Sequence, residues 1–112
     1  MDIRLKRKED FEKVFKHGKR VYSQNLTLLY IESNELKIGY SVSKKHGCSV
    51  KRNRVKRLLR ASFFNFKDNV AGNYYIVFLP KVSNEYDYEG FCKSMRYLLK
   101  KSGLLKWEKK YF

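Results

Sequence analysis

From Leu36 through Lys67 the chain carries no aspartate or glutamate, yet it holds ten basic residues: Lys37, Lys44, Lys45, Lys51, Arg52, Arg54, Lys56, Arg57, Arg60 and Lys67. A solvated surface ordinarily mixes signs. A run this long with one sign repels itself unless a polyanion neutralises it, and phosphates do so with release of counterions. On a helical wheel, Ser49–Lys67 divides cleanly. Val55, Leu58, Leu59, Ser62, Phe63 and Phe66 fall within an arc of about 140° and form a core face. Arg52, Lys56 and Arg60 make a row along one margin, and Asn53, Arg54 and Arg57 continue round the outside. Like charges at i, i+4 disfavour an isolated helix. Two rows of them point to a bound anion, and a nucleic acid is the leading candidate.

The rest of the chain can support that helix with a fold of its own. Leu, Ile, Val and Phe make up 32 of the 112 residues, roughly 29%, above the ~20% below which highly charged chains stay disordered. The length allows one domain over residues 1–112, with the net charge of +15 upon it. A multidomain enzyme, a tail-like disordered protein and an acidic-ligand buffer are excluded. The longest apolar stretches, such as Tyr74–Leu79, fall far short of the ~20 residues of a membrane-spanning helix. The basic N-terminus has no apolar segment behind it, so a cytoplasmic protein with Cys48 and Cys92 as reduced thiols is expected.

Periodicity predicts the remaining elements. Leu5–Gly18 reads as a first helix, with Phe11, Val14 and Phe15 on one face, acids early, Lys16 and His17 late, and Gly18 as its C′ residue. Leu26–Ile31 and Leu36–Val42 read as strands joined in a hairpin by Glu32–Glu35. Leu36, Ile38, Tyr40 and Val42 share one face of the second. Leu26, Leu28 and Tyr30 share a face of the first, and Thr27, Leu29 and Ile31 the other, so that strand should be covered on both sides. Tyr74–Leu79 is a further strand closed by Pro80. Asp87–Lys101 is a last helix with Tyr88, Phe91, Met95, Leu98 and Leu99 as its stripe and Gly103 as its stop. An α+β sandwich follows: three helices on a small mixed sheet of about four strands, in the order αβββαβα.

Catalytic machinery is missing from the sequence, and no residue is expected to be catalytic or to ligate a metal. His17 and His46 lack the acid partners of general acid–base work. The acids Glu9, Asp10 and Glu12, like Glu85, Asp87 and Glu89, are placed to complement helix dipoles. Two cysteines 44 residues apart with lone histidines do not make a zinc site. Seventeen Phe and Tyr residues supply rings on which unpaired bases can stack. Most belong to the core, but a first helix this short cannot bury both Phe11 and Phe15 deeply.

The stretch Ser41–Arg60, reading SVSKKHGCSVKRNRVKRLLR, resembles the signature of the protein subunit of bacterial ribonuclease P: a VSKK-x-G turn followed by an RNR-x-KR-x-x-R helix. Asp10–Gly18 is similar to that family's first helix, and Tyr74–Leu79 to its last strand. Ser49 departs from the family's usual alanine, Lys51 adds charge, and the ending Trp107–Phe112 is atypical, so the tail is given no role.

The resemblance implies a β-α-β crossover of left-handed sense through the basic helix, against the usual rule of hand. It implies a subunit of an endoribonuclease whose catalytic centre lies in an RNA subunit with bound Mg²⁺, cutting the 5′ leader from precursor tRNA. The protein would be a monomer, paired 1:1 with that RNA. By position, Arg52, Asn53, Arg54, Lys56, Arg57 and Arg60 would bind RNA with support from Lys44 and Lys45. Phe11, Phe15 and Tyr30 would line a leader cleft between the first helix and the sheet. The helical wheel adds a division of labour, with Arg52, Lys56 and Arg60 expected to reach into that cleft and Arg54 and Arg57 to point outward to the RNA subunit. Composition alone admits a ribosomal-type protein for structured RNA, a small basic ribonuclease or a DNA-binding module. None of these accounts for the spacing of the basic helix.

Overall fold

The uncharged run Tyr74–Pro80 (β4) forms an interior strand of the sheet. The computed structural model describes residues 3–105. In it β4 pairs antiparallel with β2 (Leu26–Glu32), Leu28 opposite Phe78, and parallel with β3 (Lys37–Tyr40), Ile38 opposite Ile76. β1 (Lys19–Tyr22) pairs antiparallel with β2 and completes the order β1-β2-β4-β3. Three helices accompany the strands: α1 (Lys8–His17), α2 (Ser49–Phe63) and α3 (Tyr88–Ser102). The mixed sheet and the order αβββαβα are as the sequence implies.

The expected hairpin between Leu26–Ile31 and Leu36–Val42 does not form. Its two arms are antiparallel, but β4 inserts between them. The reason lies in β4 itself: apolar on both faces, it is satisfied only in the interior of a covered sheet. β2 instead turns back on β1, through a tight link where the Ser23 hydroxyl donates to Leu26 O (2.8 Å) and Ser23 N–H donates to the same oxygen.

Strand alternation gives the sheet two different faces. Leu26, Leu28, Ile38, Ile76 and Phe78 point toward α2 and α3 and pack with Val55, Leu59, Phe63, Phe91, Met95, Leu98 and Leu99. Leu29 and Val77 point the other way, to a smaller cluster with Leu5 and Val14 beneath α1. Ser62, fully buried, donates to Leu58 O (2.8 Å), so its polar group is satisfied inside the α2 core face.

Helix limits are sharper than periodicity suggests. α1 begins at Lys8 because Ile3 to Leu5 are extended beside β3: Leu5 N–H donates to Ile38 O (2.8 Å) and Ile38 N–H to Ile3 O (2.6 Å). α2 stops at Phe63 and continues as a turn through Phe66, which is buried. Gly18 is not left-handed (φ −73°). It is required by space: a Cβ there would sit 2.4 Å from Val14 O and 3.0 Å from Tyr30 O. α3 starts as read, Asp87 accepting the Gly90 N–H (3.2 Å), and ends at Gly103 with φ +79°. Tyr88, placed in its apolar stripe by periodicity, is 43% exposed and bonds Asn65 instead. The tail residues Trp107–Phe112 lie outside the described residues.

Candidate nucleic-acid interface

α2 presents its charge to solvent as the wheel requires. Asn53, Arg54, Arg57 and Arg60 are exposed and Arg52 and Lys56 half-buried, while Lys44 and Lys45 stand exposed in the turn just before the helix. The helix start is electrostatically incomplete. Its N-cap residue, Cys48, makes no side-chain cap, and no acid lies in the first turn. The positive end of the helix dipole therefore meets Lys51, Arg52 and Arg54 with no acid of its own first turn beside them, an arrangement that favours an anion, although Glu85 and Asp87 of the loop before α3 line the same depression as Lys51 and Arg54. Although no hydrogen bond from its side chain caps the helix, the Cys48 thiol lies below the usual thiol range, drawn down first by the nearby polar Lys51 N–H and less by the Lys51 charge. Arg52 Nε is buried without a hydrogen-bond partner.

The second candidate surface is the α1 face of the sheet. Phe11 lies directly over Gly39, where a Cβ would come within 2.6 Å of Phe11 Cε1. Phe11 and Phe15 are half-buried and pack with Ile31, Tyr75 and Leu79 on the small Leu29–Val77 floor. Lys13 Nζ stands 6.0 Å from the Tyr75 ring centroid. Beside this slot a depression of about 360 Å³ is lined by Arg4, Lys6, Arg7, Asp10, Lys37 and Tyr75, among others.

The structure brings Phe11 and Phe15 together but separates Tyr30 from them. Tyr30 packs on the α2–α3 face, edge-on to Tyr74 at 6.0 Å. Alternation is the reason: Leu29, not Tyr30, shares the α1 side. The aromatic that joins the two phenylalanines is Tyr75, which the parity of β4 (Tyr75, Val77, Leu79 against Tyr74, Ile76, Phe78) could have disclosed. Gly39 also escaped notice, although a glycine inside a strand commonly marks a close approach. Arg52, Lys56 and Arg60 do not enter the slot either. α2 packs on the opposite side of the sheet, and Arg60 lies beside Tyr40, at the β3 edge. Burial pushes the Tyr40 phenol well above its ordinary range, with the Arg60 charge pulling it back.

One histidine has a defined structural role. His46 is 8% exposed, and its Nδ1 lies 2.6 Å from Tyr86 Oη, which in turn accepts the Ser83 N–H at 3.1 Å. The turn before α2 is thereby fastened to the loop before α3. Burial lowers the His46 pKa, partly opposed by its bond to the Pro80 carbonyl. Among the described residues, no helix is long and apolar enough to cross a membrane.

An α+β sandwich with a strongly basic helix on one side of the sheet and an aromatic slot on the other defines the class of small protein to which the chain belongs. The family model described as Ribonuclease P matches residues 1–103. The chain is 42% identical over 113 residues to the ribonuclease P protein component of Clostridium kluyveri, covering 95% of this chain and all of that one. It is 38% identical over 106 residues to that of Bacillus velezensis, covering 92% and 91%. The Staphylococcus aureus RNase P protein superposes with a TM-score of 0.81 at 24% identity, over 94% of this chain and 99% of that one, and so shares its fold. The chain belongs to the family of ribonuclease P protein components.

Proposed function

We propose that the chain binds the RNA subunit of ribonuclease P through α2 and holds the 5′ leader of precursor tRNA in the slot over the α1 face. Arg54, Arg57 and Asn53 meet the RNA subunit from the outer side of α2, with Lys44 and Lys45 at its start and Arg52, Lys56 and Arg60 on its β3-side margin. Phe11, Phe15 and Tyr75 take the leader, whose bases stack on exposed ring surface while Lys13 and the basic residues 4, 6 and 7 attract its phosphates. The observation that carries this reading is an acid-free helix whose uncapped start and outward cations, Arg54, Arg57 and Arg60, form a positive surface suited to phosphates.

Mg²⁺ chemistry belongs, on this reading, to the RNA. Among the described residues no three His, Cys, Asp or Glu side chains come together as metal ligands, so no step is assigned to a protein-bound ion. The protein acts in the cytoplasm as a monomer, 1:1 with the RNA, and contributes affinity and position to cleavage at the mature 5′ end.

The test mixes the full chain with a bacterial ribonuclease P RNA, Mg²⁺ and a leader-bearing precursor tRNA at near-physiological salt. Protein alone is expected to cut nothing, and protein with RNA to cut far better than RNA alone. Cleavage by the protein alone would overturn the reading. Arg57→Ala is expected to weaken assembly with the RNA and lower the salt dependence of binding by about one ion.

A further inference from the structure

We infer that Phe64 and the depression beside it hold one unpaired RNA nucleotide, its base on the Phe64 ring and its phosphate between Arg60 and Lys67. This inference rests on the RNA-binding reading of α2 and extends it past the end of the helix.

Phe64 is 67% exposed, so much of its ring is open to a stacking partner. It falls at i+4 from Arg60 and i+7 from Arg57, so it prolongs the outward row of α2 with an aromatic. Lys67 Nζ lies 4.8 Å from the ring centroid. Next to the ring is a depression of about 180 Å³ with Ile38, Tyr40 and Phe63 as its apolar floor and Arg4, Arg60 and Lys67 at its rim. That is smaller than the ~300–1,000 Å³ of sites for drug-sized ligands, and its chemistry is that of a nucleotide: an apolar plane within reach of several cations. The ring and the depression continue the line of α2 cations that ends at Arg60. The acid nearest in sequence, Asp68, does not line the depression.

The test measures fluorescence anisotropy of the full chain with a labelled 12-nucleotide oligoadenylate and with a 12-base-pair RNA duplex. Phe64→Ala is expected to weaken binding of the single strand roughly 5- to 30-fold, the loss of one stacked base. Phe64→Trp should stay within about twofold of the original, and the duplex should be unaffected by either change. An alanine variant that binds the single strand normally, or loses the duplex equally, overturns the inference. Arg57→Ala separates the two readings: if it weakens both RNAs while Phe64→Ala does nothing, RNA binding by α2 stands and the nucleotide site falls. A chain that binds neither RNA overturns both. The source of the nucleotide is read from the same variants. A Phe64→Ala defect confined to ribonuclease P RNA assigns it to that subunit, and one confined to leader-bearing precursor tRNA assigns it to the substrate. Normal binding of both refutes the site.

Discussion

The two faces of the sheet use the same strands for opposite purposes. Toward α2 and α3, sixteen buried residues fill a continuous core, with Phe78 stacked against Tyr40 and tilted against Phe63. Toward α1, Leu5, Val14, Leu29 and Val77 are buried, and the aromatics around them keep part of their surface in water. One face holds the molecule together, and the other holds rings half-covered, available to a ligand. Alternation makes this possible, because neighbouring residues of one strand serve different layers.

Substitutions on either side can break that contrast. Phe78→Ala should be the most damaging, removing about 3–5 kcal/mol in urea unfolding, since its ring is fully buried among three elements. A loss below ~1 kcal/mol would show the large core to be less essential than its packing implies. Gly39→Ala pushes a methyl into Phe11 and should cost about 1–3 kcal/mol. It should also weaken leader-bearing precursor tRNA, because the ring must move. Phe15→Ala, at a half-buried site, should cost less stability, on the order of 1 kcal/mol. It should nonetheless raise Kd for leader-bearing precursor several-fold and leave mature tRNA unchanged. Equal loss for both ligands would remove the slot from leader recognition. The smallest effect is on pH dependence. Burial depresses the His46 pKa in the folded chain, so the unfolded chain takes up the proton first. The stability His46 contributes is complete above the ordinary imidazole value of ~6.5 and declines as pH falls below it. His46→Gln should flatten urea-midpoint profiles between pH 7 and 5, and an unchanged slope would assign that dependence to other groups.

Much of this was legible in the sequence. The α2 core face was complete except that Leu58 is only half-buried, and Phe91, Met95, Leu98 and Leu99 were found from one period. What periodicity could not supply was partnership between distant segments. A four-residue polar link looks the same whether its strands pair or admit a third between them, so the β2–β3 gap was hidden. Strand parity grouped Tyr30 with Leu26 and Leu28, as observed, but parity does not say which face α1 covers, so the cleft role implied by the resemblance fell on the other layer. Gly39 and Gly18 were ambiguous for a related reason: a glycine forced by a neighbouring ring or carbonyl reads like one forced by a turn.

The extended residues before α1 have a consequence for solubility. A parallel partner, Arg4 against Ile38, occupies the outer side of β3, and the opposite rim, β1, is four residues long with exposed Lys19 and Arg20. Neither border therefore offers a second copy a long, uncharged backbone ladder to join. Deleting residues 1–5 would uncover one of them, and light scattering of the shortened chain should then rise with concentration. Both borders of the sheet are in this way closed to a further strand.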